Sequence, residues 1–152
     1  MTININTLVN REKNSFNSYY RKILKSSLPK GELSNAMIYG SMNGGKRIRP
    51  FLISIFAEIA NINKSNYLQL STAIESIHSY SLIHDDLPCM DDDKLRRGKL
   101  STHARFGEST AILAGNSLLT TAFEILSDQN FKIEAKIKSR LVNFLSKCSG
   151  QA

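Results

Sequence analysis

Residues 65–98, SNYLQLSTAIESIHSYSLIHDDLPCMDDDKLRRG, combine two patterns that decide the fold and the chemistry of this chain. Apolar side chains between Leu68 and Ile83 recur at the spacing of one helix face. Asn63 or Ser65 can cap the start of this helix. The helix leads directly into five carboxylates within residues 85–93, and two arginines follow. The sequence therefore predicts a long helix that ends in a cluster of charge.

Helical periodicity covers most of the remaining chain, and no segment alternates like a half-buried strand. Pro50 suits the first turn of a helix, because its missing N–H needs no partner there. We therefore predict an all-α fold, packed as a helical bundle. The other predicted helices run from about Leu8 to just before Pro29, from Glu32 to Tyr39, from Pro50 to Ala60, from Glu108 to Leu126 and from Asn130 to Lys147.

Charge and composition limit the class of protein. Outside residues 85–93, 20 Lys and Arg stand against 8 Asp and Glu, a net charge of +12. A basic surface indicates an anionic partner, but no groove-reading motif or interleaved aromatics point to nucleic acid. Cys89 and Cys148 form no metal or disulfide spacing. Without a secretory signal or a bilayer-spanning apolar run, we predict a cytoplasmic protein that does not insert into membranes.

The acidic stretch predicts a metal site rather than a solvated turn. Crowded carboxylates repel one another unless a cation is present, and oxygen ligands without His or Cys favour Mg²⁺ together with substrate phosphates. An EF-hand is excluded, because the sixth position counted from Asp91 is Arg96 instead of glycine. Arg96 and Arg97 carry guanidinium forks suited to phosphate. Carboxylates that can bind Mg²⁺, followed directly by arginines that can bind phosphate, indicate a diphosphate site.

The spacing does not by itself say which carboxylates converge. Asp91 lies six residues after Asp85, about 240° away on a regular helix. Pro88 interrupts the helix and allows the chain to bulge, which would bring Asp91 back towards Asp85. Asp92 would share the face of Asp85 only on an undisturbed helix. We prefer Asp91, and Asp92 remains the alternative.

A second basic cluster occupies residues 40–50, GSMNGGKRIRP. Its glycines and Lys46 match the spacing of a P-loop, but the next residue is Arg47 instead of Ser or Thr, and a helix precedes the motif. Nucleotide hydrolysis is therefore the weaker interpretation. Lys46 and Arg49 instead project positive charge just ahead of a helix start, where anions are favoured. Arg47 is expected to be an exposed base in a helix-connecting turn.

His78 lies seven residues before Asp85 and therefore on the same face of the helix. A contact to phosphate and a packed, hydrogen-bonded position in the core are both open for this residue. His103 has no comparable alignment, and we expect it to be structural.

Three motifs, GGKRIRP, HSYSLIHDDLPCMDDDKLRRG and FGESTAILAG, resemble the polyprenyl synthetase family of trans-prenyltransferases, most closely its bacterial farnesyl diphosphate synthase type. The resemblance extends from about Tyr20 to the end. It implies a helical bundle of the isoprenoid synthase type, of which residues 1–152 would form the N-terminal portion. A homodimer is possible.

The resemblance also implies a reaction and its residues. Isopentenyl diphosphate would condense head to tail with dimethylallyl or geranyl diphosphate, with Mg²⁺, to give farnesyl diphosphate. Asp85 and Asp91 would bind Mg²⁺ with Asp86 beside them, and Arg96 would bind the allylic diphosphate. No protein nucleophile or base is required. Isopentenyl diphosphate would be held by Lys46, Arg49, His78 and Arg97.

The same resemblance bears on product length and completeness. Tyr80, five residues before Asp85, would favour a fifteen-carbon product, with a geranylgeranyl diphosphate synthase as the alternative. Family members are about twice as long and carry a second Asp-rich motif, whereas this sequence reaches only a Gly-Gln segment at Gln151. We therefore expect little or no catalysis from this chain alone. A non-catalytic or degenerate homologue that binds diphosphate and Mg²⁺ is the other alternative.

Overall fold

Seven helices and one small hairpin make up the fold in the computed structural model, which describes residues 4–150. The predicted all-α class is confirmed. The helices are α1 (Ile5–Ser27), α2 (Glu32–Met42), α3 (Ile48–Ile59), α4 (Lys64–Asp85), α5 (Thr102–Phe106), α6 (Glu108–Ser127) and α7 (Ala135–Ser149). The strands are β1 (Leu95–Arg96) and β2 (Lys99–Leu100). The predicted Gly-Gln segment at Gln151 lies outside the described residues.

The helix boundaries follow local sequence signals. The Asn63 side chain accepts a hydrogen bond from the backbone N–H of Asn66 at 2.9 Å, which confirms one of the two predicted caps of α4. The last helix starts at Ala135, later than predicted. The preceding segment instead forms a turn in which the Phe131 N–H donates to the carbonyl of Asp128, and this turn buries the Phe131 ring. Burial of one aromatic ring therefore overrides helical periodicity there.

The core is built around α4, which packs on α6 and α3. Two glycines allow the close approach of helices. A side chain at Gly115 in α6 would collide with the His84 imidazole of α4, and one at Gly40 in α2 would collide with Ile83. Further back along α4, the fully buried Tyr20 hydroxyl lies 3.0 Å from the hydroxyl of Ser76. These contacts hold α1, α2 and α6 against the helix that carries the acidic stretch.

A short β-hairpin follows the acidic stretch. Its two strands pair antiparallel, with Leu95 opposite Leu100. Arg97 and Gly98, the two turn residues, both have positive φ (55° and 77°), as a type I′ hairpin turn requires. The hairpin brings Arg96 back to the end of α4 and Arg97 to the loop before α3.

An apolar stripe lies exposed on α3. Four residues spaced three or four apart share one face of this helix and are 46–72% exposed. They are Ile48, Leu52, Phe56 and Ile59. Within residues 4–150, no helix combines the length and apolar character needed to cross a bilayer.

Candidate diphosphate site

The chain folds back on itself directly after α4. The Asp91 N–H donates to the Asp85 carbonyl at 2.9 Å, and the Asp92 N–H donates to the Leu87 carbonyl at 3.1 Å. The backbone of Asp91 therefore lies against Asp85 although six residues separate them. The bulge expected from Pro88 is present. Asp92 takes a left-handed conformation with φ 53°.

Asp85 is half-buried and Asp91 is exposed. Both lie at the carboxyl end of α4, where the partial negative charge of the helix adds to their own and favours a cation. Among the described residues, no group of three or more His, Cys, Asp and Glu side chains lies close enough to hold a metal ion. A divalent cation here would have two carboxylates and would need further oxygen ligands. That donor set suits Mg²⁺, which commonly keeps waters and takes phosphate oxygens.

Asp86 has a different role from the one expected beside the metal. Its side chain is 3% exposed, and the Arg96 Nε donates to both carboxylate oxygens at 2.7 and 2.8 Å, with a further bond from Nη2. This hydrogen bonding raises the pKa of Arg96. Asp86 is therefore committed to an ion pair, and the pair holds the hairpin against the end of α4.

A basic cavity of about 580 Å³ lies on the other side of the hairpin. The structure brings together at this cavity all four residues that the resemblance assigned to isopentenyl diphosphate. Glu75 is the one carboxylate residue among those that line it. The lining residues are Lys13, Gly45, Lys46, Arg47, Ile48, Arg49, Glu75, His78 and Arg97. Lys13 belongs to no motif, and only the packing of α1 brings it here.

Glycine is required where the loop before α3 meets Arg97. Gly44 and Gly45 have φ of 88° and 113°, values that residues with a side chain rarely adopt. The Arg97 guanidinium donates to the Gly44 carbonyl and lies over Gly45, where a Cβ would collide with it. The adjacent arginines thus point to different places, Arg96 to the acidic end of α4 and Arg97 to the glycine loop.

The expectation that Arg47 is an exposed base is wrong. Its side chain is 3% exposed, and its Nη1 donates to the Glu75 carboxylate at 2.7 Å. The Asn17 amide oxygen and the Ser41 carbonyl accept its other hydrogen bonds, at 2.9 and 2.7 Å. Sequence reasoning missed the role of Glu75. An acidic residue between the apolar residues of α4 needs a buried cationic partner, and this pattern was the signal for the ion pair.

His78 is half-buried at the basic cavity, on the same face of α4 as Glu75. Burial lowers its pKa and the positive charge of Arg49 lowers it further, while the Glu75 carboxylate opposes the shift. Because the pKa of His78 lies below the ordinary value of about 6.5, its imidazole is neutral at pH 7. It can then donate one hydrogen bond to an anion without adding charge.

Tyr80 and His103 both contact neighbouring side chains of the fold. The Tyr80 ring is half-buried against the main core and meets the His84 ring edge to face, with centroids 4.8 Å apart. The buried His103 places its Nδ1 3.1 Å from the Ser101 hydroxyl, in agreement with the structural role expected for it.

Comparisons with known proteins identify the family to which the chain is similar. The polyprenyl synthetase family profile matches residues 30–152. The farnesyl diphosphate synthase of Micrococcus luteus is 44% identical over 146 residues, a match that covers 92% of this chain and 50% of the relative. The enzyme of the same name from Bacillus subtilis is 40% identical, with 94% of this chain and 48% of the relative covered.

Solved structures show the same relationship. A geranyltransferase from Legionella pneumophila superposes with a TM-score of 0.90 at 33% identity, over 95% of this chain and 52% of that one. An FPP/GFPP synthase from Zymomonas mobilis gives a TM-score of 0.84 at 36% identity, over 93% of this chain and 54% of that one. The predicted isoprenoid synthase fold is therefore confirmed, and the chain spans about half the length of these relatives. The chain belongs to the polyprenyl synthetase family.

Proposed function

We propose that this chain carries the isopentenyl diphosphate site and the first metal-binding carboxylates of a prenyl chain-elongating enzyme. The observation that carries the proposal is the convergence of four cationic side chains and His78 on one cavity. Lys13, Lys46, Arg49 and Arg97 supply positive charge there, and Glu75 is neutralised by Arg47. The cavity therefore suits a compact anion with several negative charges, such as a diphosphate.

A second subsite lies along the same helix. His78 and Asp85 are seven residues apart on α4, which places their backbones about 10 Å apart. Asp85 and Asp91 would hold Mg²⁺, which would neutralise charge on an allylic diphosphate as that group departs. In this proposal Arg96 contacts the same diphosphate. The basic cavity and the acidic turn thus present two diphosphates to one another across the Arg96–Arg97 hairpin.

The reaction that these subsites support is the Mg²⁺-dependent head-to-tail condensation of isopentenyl diphosphate with dimethylallyl or geranyl diphosphate. Lys46, Arg49 and Arg97 hold and orient isopentenyl diphosphate, and the neutral His78 donates a hydrogen bond to it. Tyr80 lies about 7.5 Å below Asp85 along α4 and would limit the length of the growing chain. Farnesyl diphosphate is therefore the proposed product, with geranylgeranyl diphosphate as the alternative.

Replacing Lys46 with methionine is expected to weaken the binding of isopentenyl diphosphate by about 10- to 100-fold, the usual effect of losing a hydrogen bond to a charged group. Isothermal titration calorimetry of the 152-residue chain measures this loss. Lys99→Met is the matched control, because Lys99 is an exposed lysine of β2 that does not line the basic cavity. Equal losses in both variants would contradict the proposed site.

A second candidate function is diphosphate and Mg²⁺ binding without turnover by this chain alone. It is favoured by the acidic turn, since Asp86 is committed to Arg96 and no larger metal-binding group is present among the described residues. The exposed apolar stripe on α3 adds support, because a face of this size is usually covered by a neighbouring element.

Incubation of the 152-residue chain with labelled isopentenyl diphosphate, geranyl diphosphate and Mg²⁺ is expected to yield almost no farnesyl diphosphate. The reason is that this sequence contains one Asp-rich motif where the family it resembles has two, so the chain would supply only the first set of metal-binding carboxylates. Thin-layer chromatography of the extracted prenyl products measures the yield, with the Micrococcus luteus relative as positive control. Vigorous turnover would contradict the incomplete-site argument and favour the catalytic function for the chain by itself.

The remaining partner assignments stay predictions. Sedimentation velocity experiments test for the homodimer that the resemblance leaves open, and cytoplasmic localisation is predicted for the natural protein. Salt-sensitive retention of the chain on DNA would revive nucleic-acid binding as an alternative, because the net charge of +7 could support it.

A further inference from the structure

The segment from Gly44 to Arg49, here called the phosphate loop, has an unusual backbone. Gly44, Gly45 and Arg47 have positive φ values of 88°, 113° and 56°. Glycines permit many conformations, so the loop sequence alone does not select this one. Lys46 and Arg49 can meet a single ligand only when one conformation is selected. A contact between the loop and residues outside it must therefore hold the loop in this conformation.

Arg97 contacts the start of the loop at Gly44, and Arg47 anchors its centre, because the Arg47 guanidinium connects the loop to three helices. Its Nη1 donates to Glu75 on α4, its Nε donates to Asn17 on α1, and its Nη2 donates to the Ser41 carbonyl near the end of α2. These bonds are 2.7, 2.9 and 2.7 Å long. The whole side chain is 3% exposed, so its donors are committed to the protein and not to a ligand.

Glu75 links this anchor to the opposite wall of the cavity. It precedes His78 by three residues on α4, so the two side chains share a helix face. Arg47 in turn lies between Lys46 and Arg49 in the loop. The Arg47–Glu75 pair therefore determines how far the two loop cations stand from His78.

We propose that Arg47 is a positioning residue of the diphosphate site, with Glu75 as its anchor, and that the pair sets the phosphate loop in register with His78. The inference rests on the proposed function of the basic cavity. The pair is neutral and adds no net attraction for an anion. Buried ion pairs also contribute little net stability compared with apolar residues of the same shape. Its contribution is to preorganise the loop, which increases affinity by reducing the cost of ordering on binding.

Two variants test the proposal by titration of the 152-residue chain with isopentenyl diphosphate and with inorganic diphosphate. The double variant Arg47→Met/Glu75→Leu removes both charges, so the net charge of the cavity does not change. Arg47→Lys keeps the charge but cannot reach Glu75, Asn17 and Ser41 at once. Each is expected to weaken binding at least about tenfold while circular dichroism shows a fully folded chain. A purely structural pair would leave the affinity of the folded chain unchanged.

The outcomes separate this inference from the proposed function. If the natural chain binds neither diphosphate, both the proposed function and the inference are overturned. If it binds and the folded variants bind equally well, the inference alone is overturned. Loss of folding in both variants would show a structural role and would also overturn it. Folded variants with weakened binding, together with unchanged binding by Lys99→Met, would support it.

Discussion

Replacing Glu75 with leucine is expected to lower the free energy of unfolding by about 3–5 kcal/mol, because the Arg47 guanidinium would remain buried without a counter-charge. The two side chains are 5% and 3% exposed, so water cannot replace the lost carboxylate. Urea denaturation followed by circular dichroism at pH 7 measures the change. The effect should be among the largest of any single substitution in the chain.

The exposed Glu124 on α6 gives a matched control. Glu124→Leu makes the same chemical change at the surface and is expected to alter stability by no more than about 0.5 kcal/mol. Adding Arg47→Met to Glu75→Leu should recover most of the lost stability, since no unpaired charge then stays buried. If Glu75→Leu and Glu124→Leu gave similar losses, the buried ion pair would not hold the fold as described.

The double substitution Asp85→Asn/Asp91→Asn is expected to remove the Mg²⁺-dependent part of geranyl diphosphate binding. We expect a loss of at least about 100-fold, since loss of outer partners of a metal site already costs 10- to 100-fold. Amide oxygens carry no charge, so the cation would lose both anionic ligands. Calorimetric titration of the chain with geranyl diphosphate, in the presence of Mg²⁺ or of EDTA, measures the effect.

Asp92→Asn is the control that also decides between the two candidate carboxylates. Asp92 lies in the same turn and has a left-handed backbone, which asparagine tolerates. Its substitution should leave Mg²⁺-dependent binding unchanged. If Asp92→Asn weakened binding and Asp91→Asn did not, the assignment of Asp91 would be contradicted, despite the backbone contact between Asp91 and Asp85.

The long helix and the bulge after it could be predicted from local rules. Apolar periodicity and the Asn63 cap are contained within a few turns of α4, and Pro88 interrupts a helix wherever it occurs. The positions of Lys46, Arg49, His78 and Arg97 at one cavity were predicted through motifs that the family shares. Periodicity alone would have left these residues on three separate elements.

The partner of a buried charge could not be predicted from the sequence. Arg47 belongs to a basic cluster that resembles an exposed turn, and Asp86 belongs to an acidic cluster that resembles a set of metal ligands. Their partners, Glu75 and Arg96, are 28 and 10 residues away in the chain. Charge pairing depends on distance in space, so local patterns cannot distinguish a charge that meets a ligand from one that meets another side chain.

The amino-acid sequence by itself determined the all-α class, the acidic stretch at the end of a long helix and the membership of the motifs in one family. Each of these depends on residue types and spacings within a short segment. Only the tertiary structure decided which charged side chains form ion pairs and which lie around the basic cavity. It commits Arg47 and Asp86 to ion pairs, and it leaves Lys46, Arg49 and Arg97 around the basic cavity. The physical reason is burial, because a charge removed from water must find a partner wherever the packing of helices brings one.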